Sequence, residues 1–141
     1  MAAELIIFVG LPGSGKSTYF KRFFSKDFAI VSKDLMTGRD KDKVQELQLR
    51  YILGAGQNVV VDNTNVTKAI RKPLIELGHS LGCKVTVYWF DTPKDVCLAR
   101  NALRSGKARV PNVAIYTMAK RFEEPTEDEG FDVRVKITKE E

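Results

Sequence analysis

Apolar and polar residues follow one another in blocks along the chain, and these blocks predict strands and helices in alternation. Between five short apolar runs lie longer stretches whose apolar residues recur at helical spacing. This alternation predicts a single α/β domain over residues 1–141, built on a mainly parallel five-stranded sheet with helices on both faces. The runs that have the composition of buried strands are residues 5–9, 28–32, 58–62, 84–90 and 131–137.

The helical spacing also predicts which residues face the core. A helix over residues 43–53 should stop at Gly54, since glycine commonly ends helices. Thr92 should cap a later helix that has Pro93 as its first residue, and Pro111 is suited to open the helix after that. The core-facing residues expected from the spacing are Val44, Leu47, Tyr51 and Leu53 in one helix and Ile70, Leu74, Leu77 and Leu81 in the next.

The first predicted strand leads directly into a glycine-rich segment, Gly10-Leu-Pro-Gly-Ser-Gly-Lys-Ser-Thr18. This segment fits the phosphate-binding loop pattern G-x-x-x-x-G-K-[ST], and a helical pattern follows it, as such a loop requires. Glycines let the backbone amides converge on phosphate oxygens, the lysine reaches the β- and γ-phosphates, and the serine hydroxyl binds Mg²⁺. The residues expected to hold the nucleotide are Gly13, Ser14, Gly15, Lys16, Ser17 and Thr18.

Composition restricts the class of protein further. The chain has no apolar run near the roughly 20 residues of a membrane span, and the first strand begins too early to leave room for a signal peptide. Cys83 and Cys97 lie outside any metal-ligand spacing, which is typical of buried thiols in a reducing compartment and favours a cytoplasmic protein.

The net charge of +5 is unevenly distributed along the chain. Residues 1–122 hold 20 basic and 10 acidic side chains, whereas residues 123–141 hold 3 and 8. A basic body can hold a polyanion such as nucleic acid, but solubility and the phosphates of a bound nucleotide explain the same charge. Both interpretations stay open on charge alone.

Two acidic residues follow predicted strands, where ligands gather in parallel sheets. Asp34 comes just after the second strand in a polar loop and is the candidate base for an acceptor hydroxyl, although a helix cap would also explain it. Asp62 ends the third strand and can support a metal ion together with Ser17, although a turn with Asn63 and Thr64 is the simpler alternative.

A short basic segment over residues 100–111 has the composition of a lid. Arg100 and Arg104 are four residues apart and should share one helix face. Arginines that close over a γ-phosphate stabilise the charge of the moving phosphoryl group, but cations also accumulate at solvated helix ends. The spacing alone leaves these two roles equally supported.

Several motifs together resemble the kinase domain of polynucleotide 5′-hydroxyl kinases, which are P-loop kinases. The matching segments are the phosphate loop, Ser32-Lys-Asp34, Val61-Asp-Asn-Thr-Asn65, Arg100-Asn-Ala-Leu-Arg104, Val110-Pro111 and Lys120-Arg-Phe-Glu-Glu-Pro-Thr126 with Glu129-Gly-Phe131. The resemblance runs over nearly the whole chain. It implies strand order 2-3-1-4-5, an ATP- and Mg²⁺-dependent activity, and the 5′ ends of DNA or RNA as acceptors.

The resemblance also implies residue roles. Lys16, Asp34 and Arg104 would be catalytic, with Asp34 as the general base, and Arg100 and Arg104 would contact the ATP phosphates. Ser17 and Asp62 would support the metal. The acceptor would be bound by residues after the second and third strands, namely Asp34, Arg39, Asp62, Asn63, Thr64 and Asn65.

The chain departs from the family where the acceptor phosphate should be held. Phage enzymes carry an arginine three residues after the base, whereas this chain has Thr37, with Arg39 as a substitute. A small-molecule kinase for a nucleoside, sugar acid or sugar nucleotide is therefore the alternative. A nucleotide-controlled binding module is a third hypothesis, although the sequence has neither the N-K-x-D nor the D-x-x-G motif of GTP switches.

Overall fold

A computed structural model describes residues 3–138, so that residues 1–2 and 139–141 of the predicted domain lie outside the described residues. Five strands form one sheet in the order β2-β3-β1-β4-β5, and every neighbouring pair is parallel. The predicted sheet and its strand order are thus confirmed. The strands are β1 (Glu4–Val9), β2 (Ala29–Val31), β3 (Val59–Val61), β4 (Lys84–Phe90) and β5 (Val133–Ile137).

Helices connect successive strands, as parallel pairing requires. They are α1 (Lys16–Phe23), α2 (Lys41–Gly54), α3 (Lys68–Ser80), α4 (Lys94–Ala102) and α5 (Asn112–Arg121). Three short 3₁₀ turns lie at Lys33–Leu35, Gly106–Ala108 and Glu127–Glu129. Within residues 3–138, no helix has both the length and the apolar character needed to cross a bilayer.

The sheet has an apolar core on each face because successive side chains of a strand point in opposite directions. On one face, alternate residues of β1 such as Leu5 and Ile7 pack against Leu49 of α2 and Leu74 of α3. On the other face, the residues between them pack against α1. This second core is largely aromatic: Phe8, Tyr19, Phe20, Phe24, Phe28, Tyr88 and Phe90.

Helices α4 and α5 pack on each other at the carboxyl end of the sheet. Cys97 of α4 and Ile115 of α5 are fully buried there, beside Leu11 of the phosphate loop. Cys83, on the other hand, lies in the core under α3, and both cysteines are free thiols, as predicted. This helix pair therefore stands next to the phosphate loop and carries the basic segment.

The prediction of the inward face of α2 was partly wrong. Leu47 is 58% exposed and Tyr51 is 80% exposed, whereas Gln45, Leu49 and Leu53 are buried. The helix carries two apolar stripes on roughly opposite sides, and the sheet covers the one that contains Leu49 and Leu53. The predicted end of the helix at Gly54 is confirmed.

Three other local predictions also need correction. Pro93, not Thr92, precedes the first residue of α4, and the Thr92 hydroxyl instead donates to the backbone carbonyl of Ser14 at 3.0 Å. Ile70 is 43% exposed on α3, although Leu74 and Leu77 are buried as expected. Arg104 lies beyond the end of α4 at Ala102, so that it does not share a helix face with Arg100.

Candidate active site

The phosphate loop joins β1 to α1 in a conformation that its glycines make possible. Gly13 and Gly15 have φ angles of 85° and 101°, in the left-handed region that favours glycine. A Cβ at Gly13 would also lie 2.8 Å from the carbonyl oxygen of Cys97. Gly15 directly precedes the first turn of α1, whose positive dipole end is suited to bind an anion.

Lys16 lies in the centre of this loop with its ammonium group buried. Its Nζ donates to the carbonyl oxygens of Gly10 and Leu11 at 2.9 and 2.8 Å and to the hydroxyl of Ser14 at 3.3 Å. Burial lowers the pKa of Lys16 from 10.5 to about 8, and the negative charge of Asp62 opposes that shift. The loop thus holds a cation of reduced basicity, surrounded by backbone oxygens.

Asp62 follows β3 directly and lies close to Lys16. Its carboxylate is nearly buried and accepts a hydrogen bond of 2.9 Å from the Ser17 hydroxyl. Burial raises the pKa of Asp62, whereas Lys16 and the Ser17 hydroxyl lower it. The predicted pair of Ser17 and Asp62 is therefore brought together.

A hydroxyl and a carboxylate are donors that suit Mg²⁺, which usually keeps several water molecules and takes phosphate oxygens as further ligands. Over residues 3–138, no cluster of three or more His, Cys, Asp or Glu side chains forms a metal site. Ser17 and Asp62 therefore fit a magnesium ion that is bound mainly through water and nucleotide, and not a site built from protein ligands alone.

Asp34 lies on the 3₁₀ turn at Lys33–Leu35, at the end of β2, and its side chain is exposed. The Ser32 hydroxyl accepts a hydrogen bond from the Asp34 backbone amide at 3.3 Å and so caps this turn. The negative charge of Asp34 reaches both Lys16 and Asp62, since it raises the pKa of each. The structure thus gathers Asp34, Lys16 and Asp62 at one edge of the sheet.

The loop after β3 is held by its own amide side chains. Asn63 accepts from the Lys33 amide at 2.9 Å and donates to Gln45 of α2 at 2.7 Å. Asn65, with a φ of 47°, is buried and donates to the carbonyl oxygen of Phe8 at 2.8 Å. These contacts position the loop around Asp62. The Asn65 side chain is hydrogen-bonded to the backbone of β1.

The remaining predicted acceptor residues are placed differently. The Thr64 carbonyl accepts from the Gly10 amide at 3.0 Å, which joins the acidic loop to the phosphate loop. Arg39 and Thr37 are both exposed in the segment that leads into α2. The structure therefore brings Thr64 next to the phosphate loop and leaves Arg39 on the surface of the acceptor side.

Of the two arginines of the predicted lid, Arg100 lies on α4 and contacts the phosphate loop, whereas Arg104 lies just beyond the end of that helix. Arg100 donates to the Gly13 carbonyl at 3.2 Å. Arg104 is exposed, but its positive charge lowers the pKa of Lys16. Burial raises the pKa of the Cys97 thiol, while the charges of Lys16, Arg100 and Arg104 act in the opposite direction. Lys16 in the loop, Arg100 beside it and the exposed Arg104 thus give this region a positive charge.

A buried arginine behind the site was not predicted. Arg71 of α3 is completely buried and forms a bidentate ion pair with Glu129, at 2.8 and 3.0 Å. It also donates to the carbonyl oxygens of Asn65 and Glu123 at 2.8 and 2.9 Å. The sequence contains one indication of this burial. Arg71 lies three residues before the buried Leu74, and residues three apart share a helix face.

A groove of about 940 Å³ lies between α2 and α3 and reaches Lys33, next to Asp34. Its apolar wall includes the exposed side chains of Leu47 and Ile70. Two lysines and three acids line the groove, so that its net charge is slightly negative. These charged residues are Lys33, Lys43, Asp40, Asp42 and Glu46.

The five-stranded parallel sheet and the phosphate loop define the class: this is a P-loop kinase fold. The chain belongs to the family described as "AAA domain", whose profile matches residues 5–125. It also resembles Kti12 of Chaetomium thermophilum in complex with ADP-AlF3, with a TM-score of 0.76 and 16% identity over 94% of this chain and 88% of that one. That structural likeness concerns the fold.

Two curated relatives are kinases by name. The chain is 26% identical over 132 residues to the bifunctional polynucleotide phosphatase/kinase of Schizosaccharomyces pombe, covering 91% of this chain and 32% of the relative. It is 28% identical over 145 residues to the L-seryl-tRNA(Sec) kinase of Methanococcus maripaludis, covering 92% and 56%. The chain thus spans about a third of one relative and over half of the other, and its resemblance to polynucleotide kinases is confirmed.

Proposed function

We propose that this chain is an ATP- and Mg²⁺-dependent kinase that phosphorylates the 5′-hydroxyl end of DNA or RNA. The observation that carries the proposal is that Asp34 and Asp62 follow the neighbouring parallel strands β2 and β3, beside the phosphate loop that follows β1, and that Asp62 is hydrogen-bonded to Ser17 of that loop. A nucleotide-binding module has no need for an exposed carboxylate at that position. A kinase needs one to orient its acceptor.

The phosphate loop and the lid form the donor half of the proposed site. Gly13, Ser14, Gly15 and Thr18 supply backbone amides at the start of α1, and Lys16 supplies the cation for the β- and γ-phosphates. Phosphate oxygens would replace the carbonyls of Gly10 and Leu11 as partners of its ammonium group. Arg100, which donates to the Gly13 carbonyl, and Arg104, whose charge acts on Lys16, would offset the charge of the transferred group.

Ser17 and Asp62 would hold the magnesium ion, either directly or through its water molecules. When bound, the ion would supply positive charge that offsets the negative charge of the phosphates. The hydrogen bond between the two side chains keeps both oxygens at the same end of the loop.

The acceptor half is centred on Asp34. Its exposed carboxylate would accept the proton of the attacking hydroxyl. The acceptor oxygen forms a bond to the γ-phosphorus while the bond from that phosphorus to the β–γ bridging oxygen breaks, and ADP leaves. Arg39, Asn63 and Thr64 would contribute to binding the acceptor, and the groove between α2 and α3 reaches Lys33, next to Asp34. We do not include Asn65, since its amide is committed to Phe8.

The basic body of the chain and the polynucleotide phosphatase/kinase relative favour a nucleic acid acceptor. The groove favours a second candidate, a small acceptor such as a nucleoside or sugar acid, because its walls are apolar and its charge is not positive. The relative named L-seryl-tRNA(Sec) kinase suggests a further kind of acceptor, a hydroxyl group carried on an RNA. A cytoplasmic setting, as expected from two reduced cysteines, is compatible with each acceptor.

The test is an acceptor panel with labelled ATP and GTP, containing 5′-hydroxyl DNA and RNA oligonucleotides, nucleosides and sugar acids. We expect label at oligonucleotide 5′ ends, and an Asp34→Asn variant should lose about 10²–10⁴-fold in transfer rate with unchanged ATP affinity. Asp27→Asn, an exposed carboxylate between α1 and β2, is the matched control.

Transfer only to a free metabolite would replace the nucleic acid assignment with the small-molecule one. Tight ATP binding without transfer to any acceptor would favour the binding module. An Asp34→Asn variant with full activity would remove Asp34 from the mechanism.

A further inference from the structure

One side chain at the end of α4 is hydrogen-bonded to the far end of the basic loop between α4 and α5, and so joins the two ends of that loop. Asn101, in the last turn of α4, is completely buried. Its Nδ2 donates to the carbonyl oxygen of Val110 at 2.7 Å, and its Oδ1 accepts from the Val110 amide at 3.0 Å. One amide side chain thus pairs with both backbone groups of a residue nine positions ahead.

This pairing requires a donor and an acceptor on the same short side chain. An aspartate at position 101 would keep the bond from the Val110 amide and lose the donation to the Val110 carbonyl. An alanine would lose both bonds and leave two backbone groups without these partners. Val110 itself packs beside the buried Ile115 of α5, so that the start of α5 has a separate apolar anchor.

The loop enclosed by this pairing, residues 102–109, is exposed throughout and carries three cations and no acid. The cations are Arg104, Lys107 and Arg109. Arg104 is also joined to the end of α4 by its backbone amide, which donates to the Asn101 carbonyl at 3.0 Å. The side chain and the backbone of Asn101 therefore fix both ends of the segment that carries Arg104.

We propose that Asn101 is a positioning residue that holds Arg104 in place for the γ-phosphate of the bound nucleotide. Closing the loop in advance reduces the conformational freedom that Arg104 would otherwise lose when it meets the phosphate. The proposal rests on the donor half of the proposed function and is independent of the acceptor. The energetic benefit therefore appears with a triphosphate and is absent with a diphosphate.

The experiment measures the affinity of the full chain for Mg²⁺–ADP and for Mg²⁺–AMP-PNP, a non-hydrolysable triphosphate, by isothermal titration calorimetry. We expect Asn101→Ala to weaken AMP-PNP binding by about tenfold, the effect of weakening one charge-assisted hydrogen bond, and ADP binding by less than about twofold. Arg104→Ala should give the same pattern, and the double variant should lose no more than Arg104→Ala alone.

Asn112→Ala is the matched control, because it removes only the longer bond of 3.3 Å to the Asn101 amide and keeps both bonds between Asn101 and Val110, so both affinities should change by less than about twofold. Asn101→Asp replaces the alanine variant if that variant does not fold. Equal losses for the two nucleotides, or additive losses in the double variant, would overturn the proposal. A wild-type chain that binds neither nucleotide would contradict the proposed function itself, and this outcome is distinct from a failure of Asn101 alone.

Discussion

The Ser17 hydroxyl donates to Oδ2 of Asp62 across 2.9 Å, and this contact joins the first turn of α1 to the end of β3. The two residues lie 45 positions apart in the sequence. Burial raises the pKa of Asp62, and this hydroxyl and Lys16 act in the opposite direction. The pair links the nucleotide side of the site to the acidic loop.

Replacing Ser17 by alanine should weaken Mg²⁺-dependent nucleotide binding. We expect Ser17→Ala to lower ADP affinity by about tenfold in the presence of Mg²⁺, since one polar ligand is lost and the pKa of Asp62 rises further. Titration calorimetry with Mg²⁺ and with EDTA measures the difference. Ser25→Ala is the control, as its exposed hydroxyl only contacts the Lys21 carbonyl. Equal loss with and without Mg²⁺ would contradict a metal role.

Nucleotide binding should depend on pH through Lys16. Its pKa is lowered to about 8, so the ammonium group loses its proton above that pH, and bound phosphates should restore it. We therefore expect nucleotide affinity to fall above pH 8 and binding at pH 8.5 to take up protons. Calorimetry in two buffers of different ionisation enthalpy detects that uptake. Lys16→Met should abolish it, whereas the exposed Lys21→Met should not.

The same residue makes folding stability depend on pH. Between pH 8 and 10.5 the unfolded chain binds more protons at Lys16 than the folded chain does, so Lys16 contributes stability that increases with pH across this range. Denaturant unfolding of wild type and Lys16→Met at pH 7.5 and 10 isolates that contribution. An identical pH dependence in the two proteins would contradict a lowered pKa.

Arg71 should be essential for stability. Arg71→Met removes the partner of Glu129, whose side chain is only 5% exposed, and leaves the carbonyls of Asn65 and Glu123 without their donor. We expect a loss of about 3–5 kcal/mol in the free energy of unfolding, the usual result of leaving a buried charge unpaired. Lys72→Met, on the exposed side of α3, is the control. Adding Glu129→Gln to Arg71→Met should recover part of the loss.

The groove between α2 and α3 should contribute to acceptor binding. Leu47→Ser removes exposed apolar surface from its wall, and we expect the KM for the acceptor to increase about threefold to tenfold, with kcat and the KM for ATP unchanged. Tyr51→Ser, on the same helix and outside the groove, is the matched control. If both variants behave as wild type, the acceptor does not lie in this groove.

The conformation of the phosphate loop could be predicted from sequence because it is local. Gly13, Lys16 and Ser17 belong to one segment whose conformation depends on its own glycines. The strand order followed from the family resemblance and was also correct. Asp62 could be placed beside Ser17 because parallel strands end at the same edge of a sheet.

The remaining features depend on contacts between distant segments. Leu47 and Leu49 lie on different sides of α2, and only the position of the sheet decides which of them is covered. Arg71 is buried because Glu129, 58 residues later, folds back over it. Thr92 fits a helix cap by local rules, but its hydroxyl bonds to Ser14 instead.

The close approach of Gly13 to the backbone of Cys97 has a consequence for motion. Because a Cβ at position 13 would lie only 2.8 Å from the carbonyl oxygen of Cys97, the phosphate loop and α4 are in close contact there. Arg100 of α4 adds a hydrogen bond to the Gly13 carbonyl. We therefore expect the exposed side chains beyond Ala102, such as Arg104, to move more readily than α4 itself. Closure over a nucleotide is then expected on the nanosecond to microsecond timescale of a surface loop, and not on the slower timescale of a swinging domain.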